Sequence, residues 1–234
     1  MCSAPGAIQP SEVALLEKLK QSEDNLKIIF KARLRGSPCI MKVYHNHKPT
    51  EDDSPELEVN LFICESTAYN RLKQIGLCER GDIPKFYSTL TGIQVCDFAP
   101  HLAMFSEDEL PPCAVFLEYI PNMQQLDLST YSPQVVTEFR RILDTIHRAK
   151  VMHGDTYPRN MMVCSDFRGS GRAKMLWIDF DNAQTFPEDR ALTERQESWF
   201  VEENELADYF FENLAKDHAD GKISSVWDYY YTWL

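Results

Sequence analysis

Apolar and polar positions alternate along the first part of the chain. Ile28-Ile29-Phe30 opens a strand, Arg35-Gly36-Ser37-Pro38 carries turn chemistry, and Cys39-Ile40-Met41-Lys42-Val43-Tyr44 forms a second strand. The pattern predicts a hairpin whose second strand carries Lys42. Residues 46–55 are polar and hold Pro49 and Pro55, so they read as a loop. From Glu56 to Gly76 the apolar positions Leu57, Leu61, Cys64, Ala68, Leu72 and Ile75 recur at helical steps, with Gly76 as a stop. Ile83 to Leu90 and Ala114 to Ile120 read as two further strands. The stretch between them, with Ser106-Glu107-Asp108-Glu109, reads as an exposed excursion.

After Pro121-Asn122 the period changes. Ser132-Pro133 is an N-cap followed by a first-turn proline. The predicted helix behind it carries Val135, Phe139, Ile142, Ile146 and Ala149 and delivers the chain to Val151-Met152-His153-Gly154-Asp155. A second hairpin is expected, Met161-Met162-Val163 and Met175-Leu176-Trp177-Ile178, around the turn-rich Arg168–Arg172. Glu202 to Lys216 reads as the last helix, opened by the acidic run Glu202-Glu203-x-Glu205, and residues 1–10 read as a loose arm. The aromatic end, Trp227 to Leu234, reads first as packing and second as a cage for a cationic substrate. The order of elements predicts an α+β chain of two lobes: residues 1–120, β-rich with one helix, and residues 121–234, helical with a small hairpin.

Composition changes this picture little. The chain has 234 residues, 44% apolar and 26% charged, enough to bury a core. Its net charge is −12, with no basic stripe of the kind that neutralises phosphate backbones, so nucleic acid is not an expected partner. An acidic surface disfavours anionic membranes and favours a cationic small molecule, though its first use is solubility. The seven cysteines include no CxxC pair and read as reduced thiols. No leader is evident at Met1–Pro10, and no apolar run approaches the roughly 18 residues needed to span a bilayer. The expected compartment is the cytoplasm, with the nucleus open. His45-x-His47 begins a polar loop and reads as solvated, and His153 reads as a hydrogen-bonded brace.

The candidate chemistry lies between residues 153 and 181. Asp155 can orient or deprotonate a hydroxyl, and Asn160, five residues on, offers a neutral oxygen of the type Mg²⁺ accepts. Asp179 ends an apolar strand. Glu65 lies on the inward stripe of its helix, where a carboxylate needs a buried partner, and Lys42 is the natural one.

His-Gly-Asp-x-x-x-x-Asn followed by Ile-Asp-Phe-Asp resembles the catalytic loop and metal motif of the protein-kinase-like superfamily. It is most similar to the atypical small branch: aminoglycoside phosphotransferases, choline kinase-like enzymes and fungal protein-kinase-like proteins. The resemblance implies a two-lobed fold and ATP with Mg²⁺. It makes Asp155 the base, Asn160 and Asp179 metal ligands and Asp181 a further metal or structural ligand, with Arg159 near the transferred phosphate. It implies that Lys42, paired with Glu65, contacts nucleotide phosphates, and that backbone groups of Glu118 and Ile120 bind adenine.

Three features depart from that pattern. No glycine-rich loop precedes Lys42, where Gln21-Ser22-Glu23-Asp24-Asn25 stands instead. Gly154 takes the place of an arginine, and few residues follow Asp181. These move the expected substrate from protein to a small hydroxyl compound. They keep two alternatives open: a pseudokinase-like binding module with a protein partner, or other chemistry on a kinase-like frame.

Overall fold

The computed structural model describes residues 8–22 and 26–231. In chain order the elements are β1 (Val13–Gln21), β2 (Lys27–Leu34), β3 (Ser37–Asn46), α1 (Leu61–Gln74), α2 (Leu77–Arg80), β4 (Phe86–Leu90), β5 (Leu110–Glu118), β6 (Met123–Gln125), α3 (Pro133–Arg148), β7 (Val151–Met152), β8 (Met161–Cys164), β9 (Lys174–Trp177), β10 (Gln184–Thr185), α4 (Glu194–Asp220) and α5 (Trp227–Tyr231). The architecture is mixed α+β, with an antiparallel sheet first and helices later, as the sequence predicts. Two compact units divide it: residues 1–67 with 85–119, and residues 68–84 with 120–234, so the division falls within α1.

In the first unit five antiparallel strands run in the order β1-β2-β3-β5-β4. The hairpin turn between β2 and β3 is the two-residue loop Arg35-Gly36, both at positive φ (51° and 82°), which matches the twist of the flanking strands. Strand alternation then sorts the side chains of β3. Cys39, Met41 and Val43 join Ile28, Phe30, Ala32, Ala114 and Phe116 in one buried cluster. Lys42 and Tyr44 belong to the opposite set.

Three expectations for this unit are corrected. The first helix begins at Leu61, not Glu56, because Asn60 caps it: its side-chain oxygen accepts from the N–H groups of Phe62 and Ile63. The stretch from 91 to 109 is no exposed excursion, since Ile93, Phe98, Leu102 and Phe105 are buried in the sheet cluster. Its short 3₁₀ turns carry apolar residues at no fixed period. His45 is not simply solvated, because its Nδ1 lies 2.7 Å from Asp108 Oδ2. Strand β1 was not anticipated at all. Register shifts fall between Leu15 and Glu17 and between Lys18 and Lys20, which leaves Leu16 and Leu19 out of alternation and exposed. Residues 23–25 of the acidic substitute for a glycine loop lie outside the described residues.

The second unit has a three-stranded sheet, β6-β8-β9, and the short pair β7-β10. Helix α3 starts at the expected cap, Ser132 Oγ accepting from the Val135 N–H. It packs on β9 through Phe139 and Trp177, whose rings meet edge to face while the indole N–H donates to the Phe139 carbonyl at 3.1 Å. Helix α4 is longer than expected. It opens at Thr193, which forms a reciprocal capping box with Gln196. The acidic run at 202–205 therefore lies inside the helix and does not open it. Phe200, Glu203, Ala207, Phe210, Leu214 and Asp217 form the buried stripe of α4. Asp217 accepts the N–H groups of Ser224, Ser225 and Val226 and so holds the approach to α5. In the aromatic end Tyr229 packs on Tyr157, Tyr209 and Phe210, and Tyr230 donates to the Leu126 carbonyl, so these two residues pack against the unit. Residues 232–234 lie outside the described residues. None of the six described cysteines is in a disulfide, and no described helix is long and apolar enough to cross a membrane.

Candidate active site

Lys42 and Glu65 meet in the first unit. The lysine Nζ lies 2.5 Å from Glu65 Oε1, with Lys42 6% exposed and Glu65 completely buried. The other carboxylate oxygen accepts from the hydroxyl of Tyr44, itself completely buried. Each oxygen of a buried anion therefore has a donor, which is the condition for keeping a charge in such a place. Glu118 ends β5. Its N–H donates to the Lys85 carbonyl at 2.8 Å, so any adenine contact from Glu118 falls to its carbonyl. Ile120 is buried in the second unit, in a cluster with Cys164, Phe167 and Leu176.

Asp155, Arg159 and Asn160 share one network in the second unit. The Arg159 guanidinium grips both oxygens of Asp155, at 2.8 Å through Nη2 and 3.3 Å through Nε, and lies over the Tyr157 ring at 4.6 Å. Asn160 is 2% exposed and donates its side-chain N–H to the Asp155 carbonyl at 2.9 Å, which turns its oxygen the other way. Its backbone carbonyl accepts from the Ile178 N–H, next to Asp179. His153 closes the loop. The Asp155 N–H donates to its Nδ1 at 3.3 Å, so Nε2 carries the proton and donates to the Ile178 carbonyl at 3.1 Å. Burial pushes the His153 pKa down, in keeping with this neutral form. His153 is a brace, as expected.

Asp179 follows β9 at φ 65°, a backbone region unfavourable to residues with a side chain and often held at functional sites. Asp181 is 1% exposed and accepts from the Asn182 side chain at 3.0 Å. Among the described residues no three His, Cys, Asp or Glu side chains gather as a metal-ligand set. The oxygens on offer to a hard cation are those of one amide and two aspartates, a donor type that suits Mg²⁺.

Glu203 was missed by the reading of the sequence, and it organises the loop. From α4 its carboxylate accepts the His153 N–H at 2.9 Å and the Gly154 N–H at 2.6 Å, and it lies 2.6 Å from His147 Nε2. The signal was available. Glu203 stands three residues after Phe200 and four before Ala207, an acid on an apolar stripe, as Glu65 is on its own helix.

Residues 122–198 match the lipopolysaccharide kinase (Kdo/WaaP) family. That family belongs to the protein-kinase-like superfamily, so the resemblance read from the His-Gly-Asp motif is borne out. The Kdo/WaaP match covers less than half of the chain but includes Asp155, Asn160, Asp179 and Asp181. It supports a kinase-like phosphotransferase that binds ATP. No curated protein matches the chain.

Gly154 now has a physical explanation. It sits at φ +77°, and a Cβ there would stand 2.1 Å from the Asn182 carbonyl oxygen and 2.8 Å from its carbon. Those atoms are backbone and cannot swing aside. Gly154→Ala is expected to destabilise the second unit by about 2–4 kcal/mol, combining left-handed strain with overpacking. A urea midpoint equal to that of the unsubstituted protein would contradict it.

Proposed function

We propose that this protein is an ATP- and Mg²⁺-dependent phosphotransferase acting on a hydroxyl group of a small molecule. The observation that carries the proposal is the network that ties the Asp155 loop, through Asn160 and His153, to the strand end bearing Asp179, inside the segment matched by the Kdo/WaaP family.

Lys42, steadied by Glu65, would hold nucleotide phosphates as a point charge. Asn160 and Asp179 would hold Mg²⁺, with Asp181 as a further ligand or as support. Mg²⁺, when bound, neutralises charge on the phosphate oxygens. Asp155 would orient the acceptor hydroxyl and take its proton. Arg159 fixes the Asp155 carboxylate and adds positive charge beside it. Adenine would meet the backbone of Glu118 and Ile120. The family's description points first to a saccharide hydroxyl as acceptor. The net charge of −12 makes cationic alcohols the second class to screen.

The first test is a melting experiment. Saturating ATP with Mg²⁺ is expected to stabilise the protein by about 2.7 kcal/mol at a hundredfold excess over Kd, seen as a raised Tm. No shift at millimolar ATP would defeat the proposal. The absence of a glycine-rich loop favours one second reading, a binding module that holds nucleotide without transferring it. A raised Tm with no ATP consumption across saccharides and cationic alcohols would select that reading.

A further inference from the structure

The mechanism above uses Lys42 and Glu65 but gives Tyr44 no task. Tyr44 is a bulky, completely buried residue whose hydroxyl is bonded to the carboxylate that pairs with Lys42. Strand period places the two donors on one face of β3, two residues apart. That strand is central, paired along its length with β2 on one side and β5 on the other. The base of both donors is therefore fixed.

The carboxylate needs both of them. With Lys42 alone on Oε1, the Glu65 head could pivot about its last torsion, and Oε2 would be a buried acceptor without a donor. The Tyr44 bond on Oε2 sets the plane of the carboxylate, and that plane sets where Oε1 stands and where the ammonium is drawn. We propose that Tyr44 is a positioning residue of the nucleotide site, acting through Glu65 to fix the Lys42 ammonium. The proposal rests on the reading of Lys42 as the cation that meets nucleotide phosphates.

Tyr44→Phe tests it, because the ring stays and only the hydroxyl goes. The first measurement needs no nucleotide: trace acetylation by acetic anhydride, with Lys42 compared with exposed Lys73 by peptide mass spectrometry. A looser pair opens more often, so labelling of Lys42 relative to Lys73 is expected to rise several-fold. An unchanged ratio in folded Tyr44→Phe would overturn the proposal. The second measurement compares ADP with adenosine. Loss of one bond to a charged group corresponds to about tenfold, so ADP should bind about tenfold more weakly while adenosine is unaffected. Equal weakening of both would overturn a role aimed at phosphates, since a merely less stable fold moves both together. If the unsubstituted protein binds neither, it is the phosphotransferase reading that fails, and the labelling ratio still decides whether Tyr44 acts on Lys42. Should Tyr44→Phe not fold, the ¹³Cζ resonance of Tyr44 is compared between the unsubstituted protein and Glu65→Gln. A shift on losing the carboxylate supports the bond, and an unmoved resonance overturns it.

Discussion

Asp155→Asn is expected to lower kcat by roughly 10²–10⁴-fold, the range typical of a lost general base, with little change in the KM for ATP. The substitution keeps the shape of the side chain and removes its charge. What holds the loop at this position is backbone: the Asp155 N–H donates to His153, and its carbonyl accepts from Asn160. Both bonds survive the change. The ion pair with Arg159 does not, but the Arg159 side chain is 43% exposed, so the cost in stability should be no more than about 1 kcal/mol. Folding and chemistry are thus separated in one variant. Steady-state kinetics with an accepted hydroxyl compound, beside a thermal melt, reads both. An unchanged kcat would remove Asp155 from the role of base.

Glu203→Ala is expected to have the largest effect on stability, about 3–5 kcal/mol, because it strips a buried carboxylate from the groups gathered around it. The N–H groups of His153 and Gly154 would be left in the interior without their acceptor. Activity should fall with it, since those two residues lead directly into Asp155. A pH signature distinguishes this from simple loss of packing. Burial pushes the Glu203 pKa up, but the hydrogen bond from His147 together with the charge interactions of His153 and His147 and the His153 backbone N–H outweighs it, and the net shift is downward. A folded-state pKa below the unfolded one means stability that is full at neutral pH and lost as pH falls through the ordinary carboxylate range, below about 4.5. His153, whose pKa is also lowered, contributes its own loss earlier, as pH falls below about 6.5. Urea midpoints from pH 7 to 3 should therefore show the earlier decline in both proteins and the later one weakened in Glu203→Ala. Parallel curves would refute the assignment.

The parts of this molecule that could be read from sequence are those where chemistry and period coincide. Lys42 falls in an apolar strand and Glu65 on the inward face of a helix, and each makes sense only with the other. Asp155, Asn160 and Asp179 stood out through their resemblance to the kinase-like motif, and the structure joins Asp155 and Asn160 by a hydrogen bond. What escaped lacked a clean period or had a plausible simpler reading. The bulges at Leu16 and Leu19 break the alternation that would have revealed β1. Ile93, Phe98, Leu102 and Phe105 reach the core from 3₁₀ turns and an irregular segment. Glu203 sat in a run of acids that resembled a helix start, and only the true start at Thr193 shows that it lies within the stripe. Tyr44 looked like one more aromatic residue on a strand. Its importance lies in a hydroxyl whose partner is 21 residues away.

The arrangement around His153 also limits where a proton can travel. One ring nitrogen receives a main-chain N–H and the other gives its hydrogen to a main-chain carbonyl, so neither is at liberty to relay. A proton taken up by Asp155 in the proposed reaction would have no exit through that imidazole. In the proposed reaction that proton would leave toward solvent, so turnover would depend on water access at the mouth of the loop.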